Sequence, residues 1–226
     1  MIGKYELNKI YNEDSYKAIK DIPDNSIDLI ITDPPYGLNI DSQKKYISKT
    51  NNKHNRKFHS KENWDNEIPS KDFFYEMKRV SKNMIVFGAN YFNEFLEQGH
   101  KGWIIWDKGQ RGLTMSDCEI IYSSLDKPTR IITVNRCELK RDITVHPTQK
   151  PLKLLVELVK NNSSKDDLIV DFFSGSGTTL EACQILERNY IGFETNKEYY
   201  LECLNRLNGI NPIGQTSIFT NFEELE

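Results

Sequence analysis

Asp33-Pro34-Pro35-Tyr36 ends an apolar run, Ile27–Thr32, and groups residue types that could grip a flat molecule bearing an amino group. A residue before proline is pushed toward extended geometry, so Asp33 stays in line with its strand. The two prolines fix two φ angles and remove two N–H donors. What remains is a stiff hook of acceptors, the Asp33 carboxylate and the Pro34 carbonyl, beside the flat Tyr36 ring. An exocyclic NH2 on a planar ring suits such a hook, because it offers two donors and a face to stack. Adenine and cytosine both qualify, and stacking a base on an aromatic ring is worth about 1–3 kcal/mol. The plainer reading is a strand-ending turn, since Asp, Pro and Gly are common turn residues.

A second chemical stretch is Asp171-Phe172-Phe173-Ser174-Gly175-Ser176-Gly177-Thr178. It joins the apolar run at 168–170 to a helical pattern over 178–187. Glycines let the backbone turn sharply and approach a ligand closely. The start of the following helix offers free N–H groups. No Gly-Lys-Ser/Thr follows, so this is not a phosphate-gripping P-loop. Glu194 closes the next apolar run, 23 residues beyond Asp171. An acid about 20 residues past such a loop commonly accepts hydrogen bonds from ribose hydroxyls. The third glycine of the dinucleotide fingerprint is missing, because position 180 is Leu. The loop therefore suits a nucleoside-containing ligand without a pyrophosphate. Asp171 has a plainer use as well, fixing its own loop.

These stretches need elements to hold them. Seven short β-rich segments recur, at Leu7–Tyr11, Ile27–Thr32, Met84–Gly88, Trp103–Trp106, Glu119–Tyr122, Leu168–Phe172 and Tyr190–Glu194. The runs at 27–31 and 168–170 are continuous rather than alternating, which fits strands buried on both faces of a parallel sheet. Helical periodicity lies between them. Leu152, Leu155, Val156 and Val159 share one face behind Pro151, and Tyr200, Cys203, Leu204 and Leu207 share another behind a cap at Asn196. Phe73, Met77 and Val80 predict a helix capped by Ser70. Strands alternating with helices predict an α/β fold with a mainly parallel, doubly wound sheet. Asp33, Asp171 and Glu194 would then share the carboxyl edge, where such sheets bind ligands.

Composition narrows the class. A hydrophobic share of 38% supports a real core, and no run of 18 or so apolar residues predicts a spanning helix. The opening residues carry no secretory signal pattern, and Cys118, Cys137, Cys183 and Cys203 form no C-x-x-C pair. A cytoplasmic protein with reduced thiols, no metal and no membrane is expected. Net charge is −3, yet basic residues cluster. Between Asn39 and Lys61 seven basic residues, among them Lys44, Lys45, Lys53, Arg56 and Lys57, face one acid. Between Lys127 and Arg141 five, among them Arg136, Lys140 and Arg141, face Glu138. Such patches can bind phosphates on an acidic protein, and a solvated loop is the alternative for either. One domain over 1–226 is expected, with a basic insertion at 39–66 and a target-recognition segment at 123–145.

Asp-Pro-Pro-Tyr, Phe-x-Gly-Ser-Gly-Thr-Thr and His-Pro-Thr-Gln-Lys-Pro at 146–151 together make the chain resemble the S-adenosylmethionine-dependent DNA amino-methyltransferases. These methylate adenine N6 or cytosine N4. The hook precedes the glycine loop, which resembles the circularly permuted order often called the beta class. The resemblance implies a Rossmann-like sheet of the class I methyltransferase type, with seven strands and an antiparallel last pair. It implies that Asp33 and the Pro34 carbonyl accept from the target amino group, that Pro35 holds the geometry and that Tyr36 stacks on an extruded base. Asp33, Asp171 and Phe172–Thr178 would line the cofactor, with Glu194 on its ribose. Asp14 would lie near its adenine, although Asn12 and Glu13 are adjacent candidates and a helix cap is the other reading. His146, Thr148 and Lys150 would meet its amino-acid end, and His146 also reads as a structural histidine.

Asp at position 33 favours adenine-N6 over cytosine-N4 within the resemblance. The other readings are an RNA methyltransferase and a non-catalytic DNA-binding subunit. DNA is the expected partner, with a homodimer or a second specificity subunit compatible with the sequence.

Overall fold

Alternation along three strands explains why their sequences are apolar throughout. Leu29 and Ile31 enter one buried cluster while Ile30 between them enters another. Ile85 and Phe87 divide from Met84 and Val86 in the same way, as Ile169 does from Leu168 and Val170. Successive strand residues point to opposite faces, so this sheet is covered on both sides.

The computed structural model describes residues 1–37, 68–92, 96, 101–114, 116–135 and 149–209. The strands are β1 (Lys9–Tyr11), β2 (Ile27–Thr32), β3 (Ser81–Phe87), β4 (Trp103–Asp107), β5 (Cys118–Ser123), β6 (Arg130–Thr133), β7 (Leu168–Asp171) and β8 (Asn189–Phe193). They form one sheet in the order β1-β8-β7-β2-β3-β5-β4-β6. β5 runs antiparallel to β3 and β4, and the other pairs are parallel.

The helices are α1 (Ser15–Ala18), α2 (Lys71–Val80), α3 (Leu152–Asn162), α4 (Thr178–Ile185) and α5 (Lys197–Leu207). Phe73, Phe74, Met77 and Val80 of α2 cover one face of the sheet, and α3 and α4 cover the other. Caps fall where side chains can reach free N–H groups. Ser70 Oγ accepts from Phe73 N at 3.4 Å, and Asn196 Oδ1 accepts from Glu198 N and Tyr199 N at 2.8 and 3.1 Å.

The doubly wound architecture and the seven expected strands are present. The sheet differs in having an eighth strand, β6, parallel to β4 at the edge and inside the segment 123–145. Its Arg130-Ile131-Ile132-Thr133 is mostly exposed, so no buried run marks it in the sequence. The expected antiparallel last pair is instead one reversed strand, β5, between β3 and β4. β2 and β7 are neighbours, yet the chain leaves them in opposite directions across the sheet, toward β3 and toward β8. That is a topological switch point, the usual place for a ligand crevice at the carboxyl edge.

Candidate active site

Asp33 and Asp171 follow or end the two strands that flank the switch point. Thr32 Oγ1 donates to Asp171 Oδ1 at 2.8 Å, tying the two strand ends together. Asp171 also accepts from Phe173 N at 3.1 Å and is buried. Burial pushes its carboxyl up to about 6, against the pull of the Thr179 and Thr32 hydroxyls and the Phe173 amide. Its contacts here are to its own loop and to β2, as the plainer reading of Asp171 has it.

The hook is stiffened from three sides. The Tyr36 hydroxyl donates to Asp33 Oδ1. Lys150 Nζ donates to Asp33 Oδ2 at 2.5 Å. Burial raises the Asp33 carboxyl; Lys150 opposes that rise and Glu119 adds to it. Burial would lower the Lys150 ammonium, but the Asp33 and Glu119 carboxylates outweigh it and the net direction is upward. Lys150 is therefore an ammonium at neutral pH. Pro34 is buried and Pro35 half-buried.

Tyr36 stacks on Tyr91, with ring centroids 4.8 Å apart and planes 15° off parallel. Its ring edge lies against Gly88, where a Cβ would stand 2.2 Å from Tyr36 Cε1. Gly88 also has φ of 69°, a left-handed value that favours glycine. The stretch Phe87–Asn90, which carries no chemistry in the sequence reading, thus seats the aromatic ring of the hook.

The glycine loop is held by its own backbone. Ser174 N donates to Phe193 O at 2.9 Å, and Gly177 N to Ser174 O at 2.8 Å. Gly175 and Gly177 have φ of 50° and 81°. Glu194 accepts from Gly175 N at 2.8 Å and from Asn196 N at 2.7 Å, one on each oxygen. Each oxygen keeps a further lone pair for a hydroxyl donor. Burial raises the Glu194 carboxyl, offset by those amides. Phe172 is fully buried and stacks on Phe193 at 5.5 Å, so its ring belongs to the core and only its backbone can face a ligand. Ser174, Ser176 and Thr178 are buried, and Phe173 is half-buried. Asp14 caps α1 by accepting from Tyr16 N at 2.9 Å, which is the helix-cap reading of that residue.

One dipeptide joins the two motifs. Ser176 Oγ of the loop donates to Gln149 Oε1 at 3.2 Å, while the adjacent Lys150 holds Asp33. Gln149 was not singled out from the sequence, although it lies inside His-Pro-Thr-Gln-Lys-Pro. Its Nε2 is buried and has no hydrogen-bond partner. An orphan donor of that kind costs about 1–3 kcal/mol unless something accepts from it. A ligand with an acceptor beside the glycine loop would satisfy it, as an amino-acid carboxylate does. With Glu194 able to take hydroxyl donors, these residues fit S-adenosylmethionine.

Two further residues escape the sequence reading. Glu119 of β5 contacts Lys150 Nζ at 3.5 Å and pairs with Lys108 Nζ at 2.9 Å. Glu119 opens the predicted segment Glu119–Tyr122 and carries no role in the sequence reading, and only strand pairing brings it here. His146, Thr148, Lys44, Lys45, Lys53, Arg56, Lys57, Arg136, Lys140 and Arg141 lie outside the described residues. Among the described residues no group of three or more His, Cys, Asp or Glu could hold a metal, and no helix is long and apolar enough to cross a membrane.

The switch-point crevice, the glycine loop and the acid after β8 define an S-adenosylmethionine-dependent methyltransferase fold. Residues 97–204 match the family described as DNA methylase (N6_N4_Mtase), a span that holds Glu119, Lys150 and the glycine loop and begins after the hook. The Type II methyltransferase M.HpaI of Haemophilus parainfluenzae is 28% identical over 246 residues, covering 88% of this chain and 75% of that protein. The Type II methyltransferase M2.MboI of Moraxella bovis is 50% identical, but over 68 residues, which are 30% of this chain and 25% of that protein. The M1.HpyAVI–SAM complex superposes with a TM-score of 0.60 at 25% identity, covering 88% of this chain and 98% of that one. The cytosine-N4-specific PvuII DNA methyltransferase shares the fold, with a TM-score of 0.58 at 19% identity, covering 91% of this chain and 90% of that one. The chain is thus similar to DNA amino-methyltransferases in the family model, in these relatives and in fold, and it carries the hook ahead of the glycine loop.

Proposed function

We propose that this protein methylates the N6 amino group of an adenine extruded from duplex DNA. The observation that carries the reading is the Gln149-Lys150 bridge. Through it the amino-group hook and the cofactor loop meet at one site, with contacts of 3.2 and 2.5 Å. When bound, S-adenosylmethionine supplies an electrophilic methyl group on a sulfonium. Gln149 Nε2, the Gly175–Gly177 turn and Glu194 are the groups that hold it.

The rest of the chemistry belongs to the chain. Asp33 and the Pro34 carbonyl accept from the amino group and draw proton density away from its nitrogen. That favours a nucleophilic lone pair over one delocalised into the ring. Asp33 is then the nearest acceptor for the proton that the nitrogen sheds as it gains a methyl. Because both prolines fix the backbone, the acceptors are in place before the base arrives, which is where electrostatic catalysis gains most. Tyr36, backed by Tyr91, is the aromatic platform for the extruded base. Extrusion costs a few kcal/mol, which phosphate contacts from the basic segments help to offset.

An aspartate in the hook supports adenine. Cytosine-N4 is the second reading, favoured by the same acceptors, since both bases present an NH2 with two donors. Incubating the purified protein with amplified bacterial genomic DNA and S-adenosylmethionine, then weighing the nucleosides by mass spectrometry, separates them. N6-methyladenine is expected. N4-methylcytosine as the sole product overturns the choice of base, and no methylated nucleoside overturns the function.

A further inference from the structure

Behind the hook lies a group of four charged side chains with one unfilled position. Lys150, 8% exposed, is 2.5 Å from Asp33 Oδ2 and 3.5 Å from Glu119 Oε2. Glu119 Oε1 is held by Lys108 Nζ at 2.9 Å. Glu119 Oε2 is buried and accepts no hydrogen bond. The position of Glu119 is fixed independently of Lys150: it pairs with Trp106 in the β4–β5 ladder, and Lys108 N donates to Asp117 O at 3.0 Å beside it. The Lys150 ammonium lies over the rings of Phe87 and Tyr36, at 5.1 and 5.7 Å from their centroids, so it is out of water on those sides. A buried ammonium needs a carboxylate partner at all times.

Asp33 as it stands accepts from two internal donors, Tyr36 on one oxygen and Lys150 on the other. A target amino group that donates to Asp33 must share an oxygen with one of them and divides its charge with the Lys150 ammonium. We propose that Glu119 Oε2 is the alternate seat of the Lys150 ammonium: Lys150 rests on Asp33 while the hook is free and shifts onto Glu119 when a target amino group donates to Asp33. A movement of roughly 0.7 Å turns the 3.5 Å contact into a charge-assisted hydrogen bond of about 2.8 Å. The ammonium keeps a partner throughout, and Asp33 regains its full negative charge as the amino group arrives. Glu119 is on this account a positioning residue, acting on Asp33 through Lys150. The inference rests on Asp33 being the amino-group acceptor.

Two measurements test it. In single-turnover methylation of amplified genomic DNA, Glu119→Gln removes the charge of the alternate seat and leaves its shape. It should lower the transfer rate on the order of 10²-fold, as a misplaced reacting group does, with the Kd for S-adenosylmethionine unchanged and partial recovery in Glu119→Asp. A wild-type transfer rate in Glu119→Gln, or a loss explained by weaker cofactor binding, overturns the proposal. The second measurement needs no activity, so it stands even if the wild-type protein methylates nothing and the functional reading fails. Thermal unfolding of Asp33→Asn, Glu119→Gln and the double variant should show a double loss in Tm larger than the two single losses combined, because either carboxylate alone still serves Lys150. An additive or smaller double loss contradicts a shared ammonium.

Discussion

Asp171 has a folded-state carboxyl pushed up to about 6 by burial, from an ordinary value of 3.8. The sign follows from proton linkage. A carboxylic acid whose folded value exceeds its unfolded one holds its proton better in the folded state, so its burial costs nothing below about pH 4. The cost grows through the window from about 4 to about 6 and is complete above it, where it reaches up to ~3 kcal/mol. Asp171→Asn keeps an oxygen for Thr32 and Phe173 and removes the charge. The variant should melt on the order of 5 °C above wild type at pH 7.5, with the difference vanishing near pH 4. Calorimetry at both pH values checks this, and a pH-independent difference would exclude buried ionisation as its source.

What the sequence reveals at this scale divides by cause. Asp33, Asp171 and Glu194 are legible because each sits where an apolar run stops, a position set by local chemistry. Glu119, Lys108 and Gln149 are not, because their partners come from distant parts of the chain. Tyr91 and Gly88 are hidden for the same reason: the ring they seat lies on another strand's exit.

At the scale of elements, the glycine loop depends on α5 as much as on its own backbone. A Cβ at Gly177 would stand 2.2 Å from Cys203 Sγ on α5 and 3.1 Å from Cys203 Cβ. Gly177→Ala therefore meets two penalties, the clash and a left-handed φ that costs an L-residue roughly 1–2 kcal/mol. The substitution should lower Tm, and adding Cys203→Ala should recover the part due to the clash while leaving the backbone part. If Cys203→Ala restores nothing, helix and loop are not packed as described. Cys203 reads from the sequence as a packing residue on an apolar helix face, and the structure adds what it packs against. Most elements are equally legible: continuous apolar runs mark β2 and β7, and Ser70 and Asn196 mark helix starts. β6 is not, because an exposed edge strand of four residues has neither a buried run nor a clean alternation to announce it.

At the scale of the whole molecule, the order of strands does the positioning. β2 and β7 lie side by side although the residues they carry are far apart in sequence, and the chain winds away from them in opposite directions. The hook leaves one and the glycine loop leaves the other. Residues 149 and 150, which lead into α3, cross the crevice and bond to both. On the proposed reading, a hook that serves the amino group and a loop that serves the cofactor can then be separated by substitution, although they share one crevice.

That separation is tested most directly by measuring, on Asp33→Ala, both calorimetric binding of S-adenosylmethionine and transfer of its labelled methyl group to genomic DNA. Lys150 keeps Glu119 as a partner in this variant. The account predicts cofactor affinity close to wild type and a transfer rate lower by about 10²–10³-fold, as expected when a preorganised electrostatic group is lost. Transfer at the wild-type rate would contradict it.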